Sequence, residues 1–269
     1  MTEISTPPRL TVDDAAIVPA DAPPPSKALM PKNSLLLKFG KWAQPRINTI
    51  IAKSSKLGTP LFFNNADFPW IAELEANWET IRDEAYSVLG DLSAIPPLAE
   101  ISPDHRRIAP AGRWRSFFLY GYGYSVPENC AACPKTAALV SKVPGLNTAL
   151  FSVLVPHTRI PAHTGVTRAI LVSHLGIQVP RDSANCRMRV VDQWTEWQEG
   201  KAFVFDDCYN HEVVNDTDEV RIVLLIQFRR PVRWLGKLVG EAFLYGVRQS
   251  RFVQDARRGL QDWSSRKVG

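Results

Sequence analysis

The chain has 269 residues, of which 45% are hydrophobic and 22% charged, a composition typical of a globular protein. That length accommodates one large domain with its own core, or two small ones. The net charge of +5 is unevenly distributed: after position 228 ten Lys and Arg face three Asp and Glu, a balance of +7, so residues 1–228 sum to −2. The basic tail favours an acidic partner surface, such as anionic lipid or nucleic acid, and a solubilising basic helix is the alternative.

Cysteine use and the N-terminal segment indicate the compartment. Four cysteines are present, Cys130, Cys133, Cys186 and Cys208. Residues 1–33 lack the continuous apolar run of a signal peptide, and no stretch approaches the ~20 apolar residues that span a bilayer. We therefore expect a cytoplasmic protein with free thiols. Cys130 and Cys133 have the spacing of a redox or metal pair, but no second pair follows at zinc spacing.

The first third of the chain predicts a leader followed by helices. Residues 1–33 contain seven prolines and predict a disordered leader. Residues 34–52 predict a short amphipathic helix. The run Asp67-Phe-Pro69 opens a second helix, with Asp67 or Phe68 as its cap and Pro69 in the first turn. Apolar residues then recur at helical spacing until Gly90, which we expect to end that helix.

Short strands separated by turn signals dominate the rest of the chain. The predicted strands are 114–124, 151–155, 169–172, 174–179, 186–191, 201–205, 211–214 and 220–228. This series predicts one mainly β domain with flanking helices, a sandwich or jelly-roll barrel, over residues 34–231. Residues 232–269 predict a basic amphipathic helical tail. Its broad apolar face is expected to contain Trp234, Leu235, Leu238, Val239, Phe243 and Leu244.

Two histidines and an arginine in the strand-rich region are candidate functional residues. His163 follows a predicted strand, His211 stands 48 residues later after another, and Arg221 lies inside the next. Two imidazoles can hold iron(II) and leave coordination positions open. The guanidinium fork of an arginine suits a carboxylate such as the far end of 2-oxoglutarate. On spacing alone, both histidines could equally be core or surface residues.

The order of motifs in this region resembles the aspartyl/asparaginyl β-hydroxylase family. The motifs are Pro-Ala-His163-Thr-Gly165, His174-Leu-Gly176, Cys186-Arg-Met-Arg-Val190, Trp197-Gln-Glu-Gly-Lys201, Phe205-Asp-Asp207, His211-Glu-Val213, Asn215-Asp-Thr-Asp218 and Arg221. The resemblance covers roughly residues 60–230. Residues 113–123 and 252–258 also resemble the bacterial members, a branch that includes proteins similar to lipid A 2-hydroxylases.

The resemblance implies a double-stranded β-helix, or jelly roll, and a 2-oxoglutarate-dependent dioxygenase. His163 and His211 would be the iron(II) ligands, and with Arg221 they would form the catalytic set. Arg221 and Ser152 would hold the far carboxylate of 2-oxoglutarate, and His174 would support its near end. Members of the family have a glycine in place of the usual third, carboxylate ligand, which Gly165 matches. O2 would be the oxidant, with ascorbate as an accessory reductant.

The sequence departs from the family at one position. The family has an arginine two residues before the equivalent of His174, where this chain has Val172. Arg168 and Arg189 are candidate replacements for that cation. If neither replaces it, the chain could be a divergent, non-catalytic binding module built on the same fold.

Two interpretations of the substrate follow from the resemblance. The first is a polypeptide, hydroxylated at the β-carbon of Asp or Asn. The alternative is a lipid, hydroxylated on a fatty-acyl chain. A basic tail and the cations Lys38, Lys41 and Arg46 suit peripheral contact with the anionic inner face of a membrane, which favours the lipid. A nucleic-acid partner is disfavoured because no strand face interleaves basic and aromatic residues.

The remaining polar residues have simpler interpretations. Asp206 and Asp207 either orient His211 or cap a turn. Trp114 is expected to be a packed core residue, and without the resemblance Ser152 is only a polar inward position on a strand. His105 and His157 are expected to lie on the surface.

Overall fold

The computed structural model describes residues 9–12, 35–101, 108–109, 112–250 and 253–259. The helices are α1 (Leu35–Ser54), α2 (Trp70–Ala76), α3 (Trp78–Leu89), α4 (Leu98–Ile101), α5 (Pro127–Ala132), α6 (Pro134–Ser141), α7 (Trp234–Gln249) and α8 (253–259). The strands are β1 (Phe62–Phe63), β2 (Trp114–Gly121), β3 (Tyr124–Ser125), β4 (Leu146–Leu154), β5 (Thr158–His163), β6 (Ile170–Gln178), β7 (Cys186–Val190), β8 (Gln193–Glu196), β9 (Ala202–Phe205), β10 (His211–Asn215) and β11 (Arg221–Arg229).

The strands form two antiparallel sheets. The larger has seven strands in the order β1-β9-β6-β11-β4-β2-β3, and the smaller has four in the order β5-β10-β7-β8. Sequential strands alternate between the two sheets from β4 to β7, as in a jelly roll. The predicted mainly β fold with flanking helices is therefore confirmed.

Side chains that point to opposite faces of the larger sheet belong to two separate apolar cores. In β11, Ile222, Leu224 and Ile226 join a core that the larger sheet shares with α2, α3 and α6. Val223 joins the other core, which lies between the two sheets. Because the side chains of a strand alternate between faces, Arg221 shares the inter-sheet face with Val223. This interior is where the candidate site residues of the larger sheet converge.

The helix predicted from Asp67 to Gly90 is two helices. A short 3-10 turn at Asn65–Asp67 precedes α2, the N-cap position of α2 is Pro69, and Asn77 separates α2 from α3. The prediction of Asp67 or Phe68 as cap was therefore wrong. Asn77 leaves the helical conformation at φ −111° and ψ 13°, and its side-chain amide donates to the carbonyl of Glu73 at 2.7 Å. Competition of this kind between an Asn side chain and the helix is what sequence periodicity misses.

The termini agree with the sequence in part. Most of the predicted leader lies outside the described residues, and so does His105. Residues 9–12 of the leader contact the domain, because the Gln178 side chain forms hydrogen bonds with both the N–H and the carbonyl of Leu10. The predicted tail helix is present as α7. Its expected single apolar face is wrong, since Leu244 is buried whereas Trp234 and Leu238 are exposed. Among the described residues no helix is long and apolar enough to cross a membrane.

Candidate active site

His163 and His211 stand directly opposite each other on the smaller sheet. The two residues are register partners in the β5–β10 ladder, and their ring centroids lie 4.1 Å apart. His163 is the last residue of β5, a strand that was not predicted from the sequence. Two histidines 48 positions apart in sequence are thus brought together by strand pairing, as the resemblance implies.

The hydrogen bonds of both rings select one tautomer. Nδ1 of His163 lies 2.8 Å from the carbonyl oxygen of Pro161, and Nδ1 of His211 lies 2.9 Å from that of Tyr209. A carbonyl oxygen only accepts, so each Nδ1 carries the proton and each Nε2 carries a lone pair. Burial and the neighbouring His163 lower the pKa of His211 to about 4. Neutral imidazoles held in this way are the form that binds a metal ion.

His174 lies in the inter-sheet interior with the opposite tautomer. The indole N–H of Trp197 donates to Nδ1 of His174 at 3.3 Å, which leaves the ring proton of a neutral His174 on Nε2. The pKa of His174 lies well below its usual value because of burial, with Arg221 and His211 adding to the effect. His174 is therefore a buried N–H donor close to Arg221 and His211. A carboxylate ligand requires such a donor.

Arg221 is a buried cation without an acidic partner in the described part of the chain. The residue is 1% exposed, and its guanidinium lies 4.9 Å from the ring centroid of Trp197. Its Nε has no hydrogen-bond partner among the described residues. Burial lowers its pKa to about 10. An unpaired buried guanidinium is costly. The arrangement therefore indicates a binding site for an anion rather than a structural ion pair.

Ser152 lies beside Arg221 on the neighbouring strand. In the β4–β11 ladder Ser152 pairs with Val223 and Leu154 pairs with Arg221, so both polar side chains face the interior. Trp114 donates its indole N–H to the Ser152 hydroxyl at 3.0 Å; Trp114 is thus a buried residue that also touches a site residue. Ser116, opposite Ser152 in the β2–β4 ladder, has a buried hydroxyl without a hydrogen-bond partner among the described residues.

Gly165 leaves space that Asp207 fills. A Cβ at position 165 would lie 2.4 Å from the Asp207 carboxyl carbon, and the Gly165 N–H donates to the Asp207 carbonyl at 2.7 Å. Asp207 thus lies where the third, carboxylate ligand of a two-His-one-carboxylate site would begin. Burial and the neighbouring Asp206 raise the pKa of Asp207 to about 7. Its Oδ1 has no hydrogen-bond partner among the described residues.

Asp206 has a structural role. The ligand atoms of Asp206, Asp207 and Cys208 lie within 4.8 Å of one another, a spacing that suits a metal. Asp206, however, already accepts hydrogen bonds from Arg230 and, at 3.0 Å, from Arg168. Burial also raises the pKa of the Cys208 thiol, which disfavours the thiolate that a metal needs. The two histidines are therefore a better candidate for metal binding than this cluster.

The sequence left two roles open for Asp206 and Asp207, orienting His211 or capping a turn. Asp206 caps a turn. The Cys208 N–H donates to Asp206 Oδ1 at 3.1 Å, a bond typical of an Asx turn. His211 is oriented by the carbonyl of Tyr209, and no carboxylate bond to its ring is found in the described chain.

Val172 is a buried core residue, and neither candidate replacement is free. Val172 pairs with Phe205 and Gln227 on the neighbouring strands. Arg168 is paired with Asp206, and Arg189 is paired with Glu212 at 2.6 Å. The cation expected two residues before His174 is therefore not supplied by either arginine.

The other residues named from the sequence lie away from this interior. His157 is exposed, as expected, and pairs with Asp218 at 2.8 Å. Cys130 and Cys133 are free thiols. Burial raises the pKa of Cys133 to about 12, which makes it a poor nucleophile or metal ligand.

Three polar groups of the site were not predicted from the sequence. Trp197 was only part of a motif, yet it contacts both His174 and Arg221. Asp207 was named without its relation to Gly165, and Ser116 was not named at all. The alternation of Trp114, Ser116 and Phe118 along one strand is a signal that could have placed Ser116 inward.

Comparisons with known proteins identify the class. The sequence profile of the aspartyl/asparaginyl beta-hydroxylase family matches residues 75–231, more than half of the chain. This protein belongs to that family of hydroxylases, in agreement with the fold and with the paired histidines.

Two relatives and one solved structure are similar to this chain to different extents. The ornithine lipid ester-linked acyl 2-hydroxylase of Rhizobium tropici is 36% identical over 259 residues, which cover 96% of this chain and 89% of the relative. The aspartyl/asparaginyl beta-hydroxylase of Homo sapiens is 30% identical over 166 residues, covering 60% of this chain and 21% of the human protein. A Cupin 2 conserved barrel domain protein from Salinispora arenicola is similar in structure, with a TM-score of 0.30 at 12% identity over 49% of this chain and 84% of that chain.

Proposed function

We propose that this protein is an iron(II)- and 2-oxoglutarate-dependent hydroxylase that acts on the fatty-acyl chain of a membrane lipid. The observation that carries the cofactor assignment is the buried Arg221 without an acidic partner in the described chain, in an interior that also holds His174. The paired rings of His163 and His211 supply the metal ligands.

The residues present fit both groups. Iron(II) would be held by the Nε2 atoms of His163 and His211, since both Nδ1 atoms donate to carbonyls. The far carboxylate of 2-oxoglutarate would be held by Arg221 and Ser152, and its near end by the Nε2–H of His174. Both fits follow the chemistry of the donors: lone pairs for the cation, and N–H and O–H groups for the dianion.

Each protein group has a definite task in this proposal. When bound, iron(II) would supply the redox chemistry by which O2, the oxidant, hydroxylates an unactivated carbon and converts 2-oxoglutarate to succinate and CO2. Arg221 neutralises and orients the far carboxylate, and Trp197 fixes the tautomer of His174 so that it remains a donor. The apolar walls around Phe205 and Val223 exclude water. The Asp207 carboxyl group lies beside Gly165, two residues after His163, where it would be a polar neighbour of the metal ligands.

The absence of the second arginine changes this cofactor site rather than removing it. With Val172 at that position, the near end of 2-oxoglutarate has His174 as its protein donor. We therefore expect weaker cosubstrate binding than a site with two arginines would give, by the net contribution of one charge-assisted hydrogen bond, ~1.5–3 kcal/mol. The complete set of His163, His211 and Arg221 favours an active enzyme over a binding module.

The substrate assignment rests on the comparisons. The relative that acts on an ester-linked acyl chain matches almost the whole chain, whereas the match to the human protein is confined to part of it. We therefore rank the lipid above a polypeptide, which reverses the order suggested by the sequence. Hydroxylation of Asp or Asn at the β-carbon is the second candidate, supported by that human relative.

Succinate formation tests the proposal. Purified protein with iron(II), ascorbate and 2-oxoglutarate is incubated with an acylated aminolipid or with a peptide rich in Asp and Asn, and the product is examined by mass spectrometry. We expect succinate together with the addition of one oxygen to an acyl chain. The His163→Ala variant should lose both products, and His157→Ala, an exposed histidine away from the site, should retain them.

Two results would contradict the proposal. Oxygen addition to the peptide but not to the lipid would select the second candidate. Failure to bind 2-oxoglutarate in the presence of iron(II), with no succinate from any substrate, would support a non-catalytic member.

A further inference from the structure

Helix α7 packs on the protein through two glycines and Leu244, and it exposes several of its other large apolar residues. Gly236, Gly240 and Leu244, spaced four residues apart, are buried. A Cβ at Gly236 would lie 2.4 Å from the Ser54 side chain, and one at Gly240 would meet Ala169 at 3.3 Å. The glycines therefore let the backbone of α7 approach α1 and the loop before β6 closely. This is the reverse of an ordinary amphipathic surface helix, whose large apolar residues face the core.

The outer face of α7 carries an apolar stripe. Trp234, Leu238 and Tyr245 are 76%, 62% and 66% exposed. Their spacings of four and seven residues place them on one side of the helix, along about 16 Å of its axis. Leu235, 44% exposed, widens the stripe. Single exposed apolar residues are common, but an aligned series ending in Trp and Tyr is typical of a surface with a partner.

Helix α1 adds a neighbouring exposed face with the same character. α1 and α7 pack against each other through Ile51 and Leu244. On α1, Trp42 is 56% and Ile50 37% exposed, and the Arg46 guanidinium lies 4.0 Å from the ring centroid of Trp42. Aromatic and aliphatic side chains are thus exposed on both of these packed helices.

The charge of these helices is almost entirely positive. The sequence of α1 contains four cations and no acidic residue. Among the exposed cations with described side chains on or next to the two helices are Arg46, Lys53, Arg233 and Lys237. None of these four forms an ion pair within the described chain, whereas Glu241, the single acidic residue of α7, is paired with Arg229 at 2.7 Å. An apolar stripe with cationic margins complements an anionic bilayer.

The same helices border the end of the barrel that holds the paired histidines. Gln44 and Asn48 of α1 donate to the carbonyl of Val166 at 2.7 and 3.3 Å, three residues after His163. A cavity of about 380 Å³ lies between α1 and this end; Asn48, Lys53, Arg168 and Tyr209 are among its lining residues. Tyr209 also supplies the carbonyl that orients His211. A surface that contacts α1 is therefore close to the candidate metal site.

We propose that the exposed faces of α7 and α1 form a docking surface for an anionic lipid bilayer, which holds the site over its lipid substrate. The apolar stripe enters the interfacial region of the bilayer, and the four cations contact its headgroups. The purpose of this docking rests on the proposed lipid substrate, but the binding itself does not. Charge argues against a second copy of the chain as occupant, because a symmetric contact would bring these cations together.

Vesicle flotation of the full-length protein tests the surface. We expect binding to vesicles of phosphatidylcholine containing phosphatidylglycerol, and weaker binding to phosphatidylcholine alone or at high salt. Leu238→Glu and Trp234→Ser should each lower the partition coefficient at least ~tenfold, the order expected for one large apolar side chain left in water. Lys237→Gln should lower it roughly fivefold on anionic vesicles only. The matched control is Trp194→Ser, which removes a 44% exposed tryptophan from β8 on the smaller sheet.

Several outcomes would overturn the docking surface. These are absence of binding by the unaltered protein, equal loss in Trp194→Ser, unchanged binding in Leu238→Glu, or a dimer in solution that Leu238→Glu dissociates. A parallel assay on detergent-dispersed lipid separates this inference from the proposed function. Retained turnover of dispersed lipid by Leu238→Glu, with vesicle binding lost, supports both. Vesicle binding that depends on Leu238, without turnover of any lipid, supports the docking surface and contradicts the lipid substrate.

Discussion

His163 and His211 face each other across the β5–β10 ladder with ring centroids 4.1 Å apart, and each is fixed by a hydrogen bond from Nδ1 to the carbonyl two residues before it. Because both bonds are local to their strand ends, the two rings are oriented independently and meet through strand register. The pair is therefore positioned before any metal binds, which lowers the conformational cost of binding.

Removal of either ring should abolish metal binding without unfolding the protein. We expect His163→Ala and His211→Ala to weaken binding of iron(II), or of manganese(II) as a redox-stable probe, by at least ~100-fold. Isothermal titration calorimetry measures the binding, and circular dichroism checks the fold. His157→Ala is the control; unchanged metal affinity in either site variant would refute the ligand assignment.

Replacement of Arg221 should separate stability from function. Arg221→Met removes a buried charge that has no acidic partner in the described chain, so we expect the free energy of unfolding of the ligand-free protein to rise by about 1–3 kcal/mol. The same change should raise the 2-oxoglutarate concentration needed for half-maximal turnover at least ~tenfold, the order of one charge-assisted pair. Thermal unfolding with and without 2-oxoglutarate measures the change in stability and the response to the cosubstrate. Succinate formation against 2-oxoglutarate concentration measures the half-maximal value. A variant that is destabilised and still responds to 2-oxoglutarate would mean that Arg221 is structural.

The bond from Trp197 to His174 should matter for the cosubstrate more than for the fold. Trp197→Phe retains an aromatic ring but removes the N–H donor, so Nδ1 of His174 can take the proton. A net hydrogen bond contributes ~1 kcal/mol, and we expect about a fivefold rise in the KM for 2-oxoglutarate with kcat less affected. Trp194→Phe, at an exposed position on β8, is the control. An equal change of the KM in Trp197→Phe and Trp194→Phe would argue against a specific role for the Trp197 N–H.

The close approach of Gly165 and Asp207 predicts a reciprocal pair of substitutions. Gly165→Asp would restore a carboxylate at the usual third-ligand position, but its Cβ would lie 2.4 Å from the Asp207 carboxyl carbon. We expect a destabilisation of about 2 kcal/mol or more. Adding Asp207→Gly should recover most of it, giving a large coupling energy in a double-mutant cycle. Denaturant unfolding measures the four proteins, and additive effects would show that the two positions do not share space.

Glu84 should stabilise α6 from a different helix. Both backbone N–H groups at Lys135 and Thr136 donate to the Glu84 carboxylate, at 2.9 and 2.7 Å, and the N-cap position of α6 supplies no side-chain bond of its own. By analogy with the loss of an N-cap, Glu84→Ala should lower the free energy of unfolding by about 1–2 kcal/mol. Glu79→Ala, on the exposed side of α3, should cost less than about 0.5 kcal/mol. Equal costs would contradict the cap.

Local pattern accounts for the parts of the fold that the sequence predicted. Short apolar runs placed β6, β9 and β11 to within a few residues, although β6 was expected as two strands, because strands of the larger sheet that are buried on both faces have nearly continuous apolar sequences. β10 was also placed to within one residue, whereas β4 begins five residues before its predicted start. The break between α2 and α3 escaped prediction since the apolar period continues across Asn77. α5 and α6 were also missed, and the cap of α6 is supplied by Glu84, about 50 positions earlier.

The sequence by itself determined the fold class and the family, because motif order and apolar periodicity are properties of the chain read in one direction. Only the tertiary structure decided which groups lack partners. Arg168 and Arg189 are as basic as Arg221, yet each is paired with a carboxylate, while Arg221 is buried without one in the described chain. Likewise α7 contacts the protein through Gly236, Gly240 and Leu244, while Trp234 and Leu238 of the same helix are exposed. Both outcomes depend on strand register and close packing between segments distant in sequence, which no local pattern records.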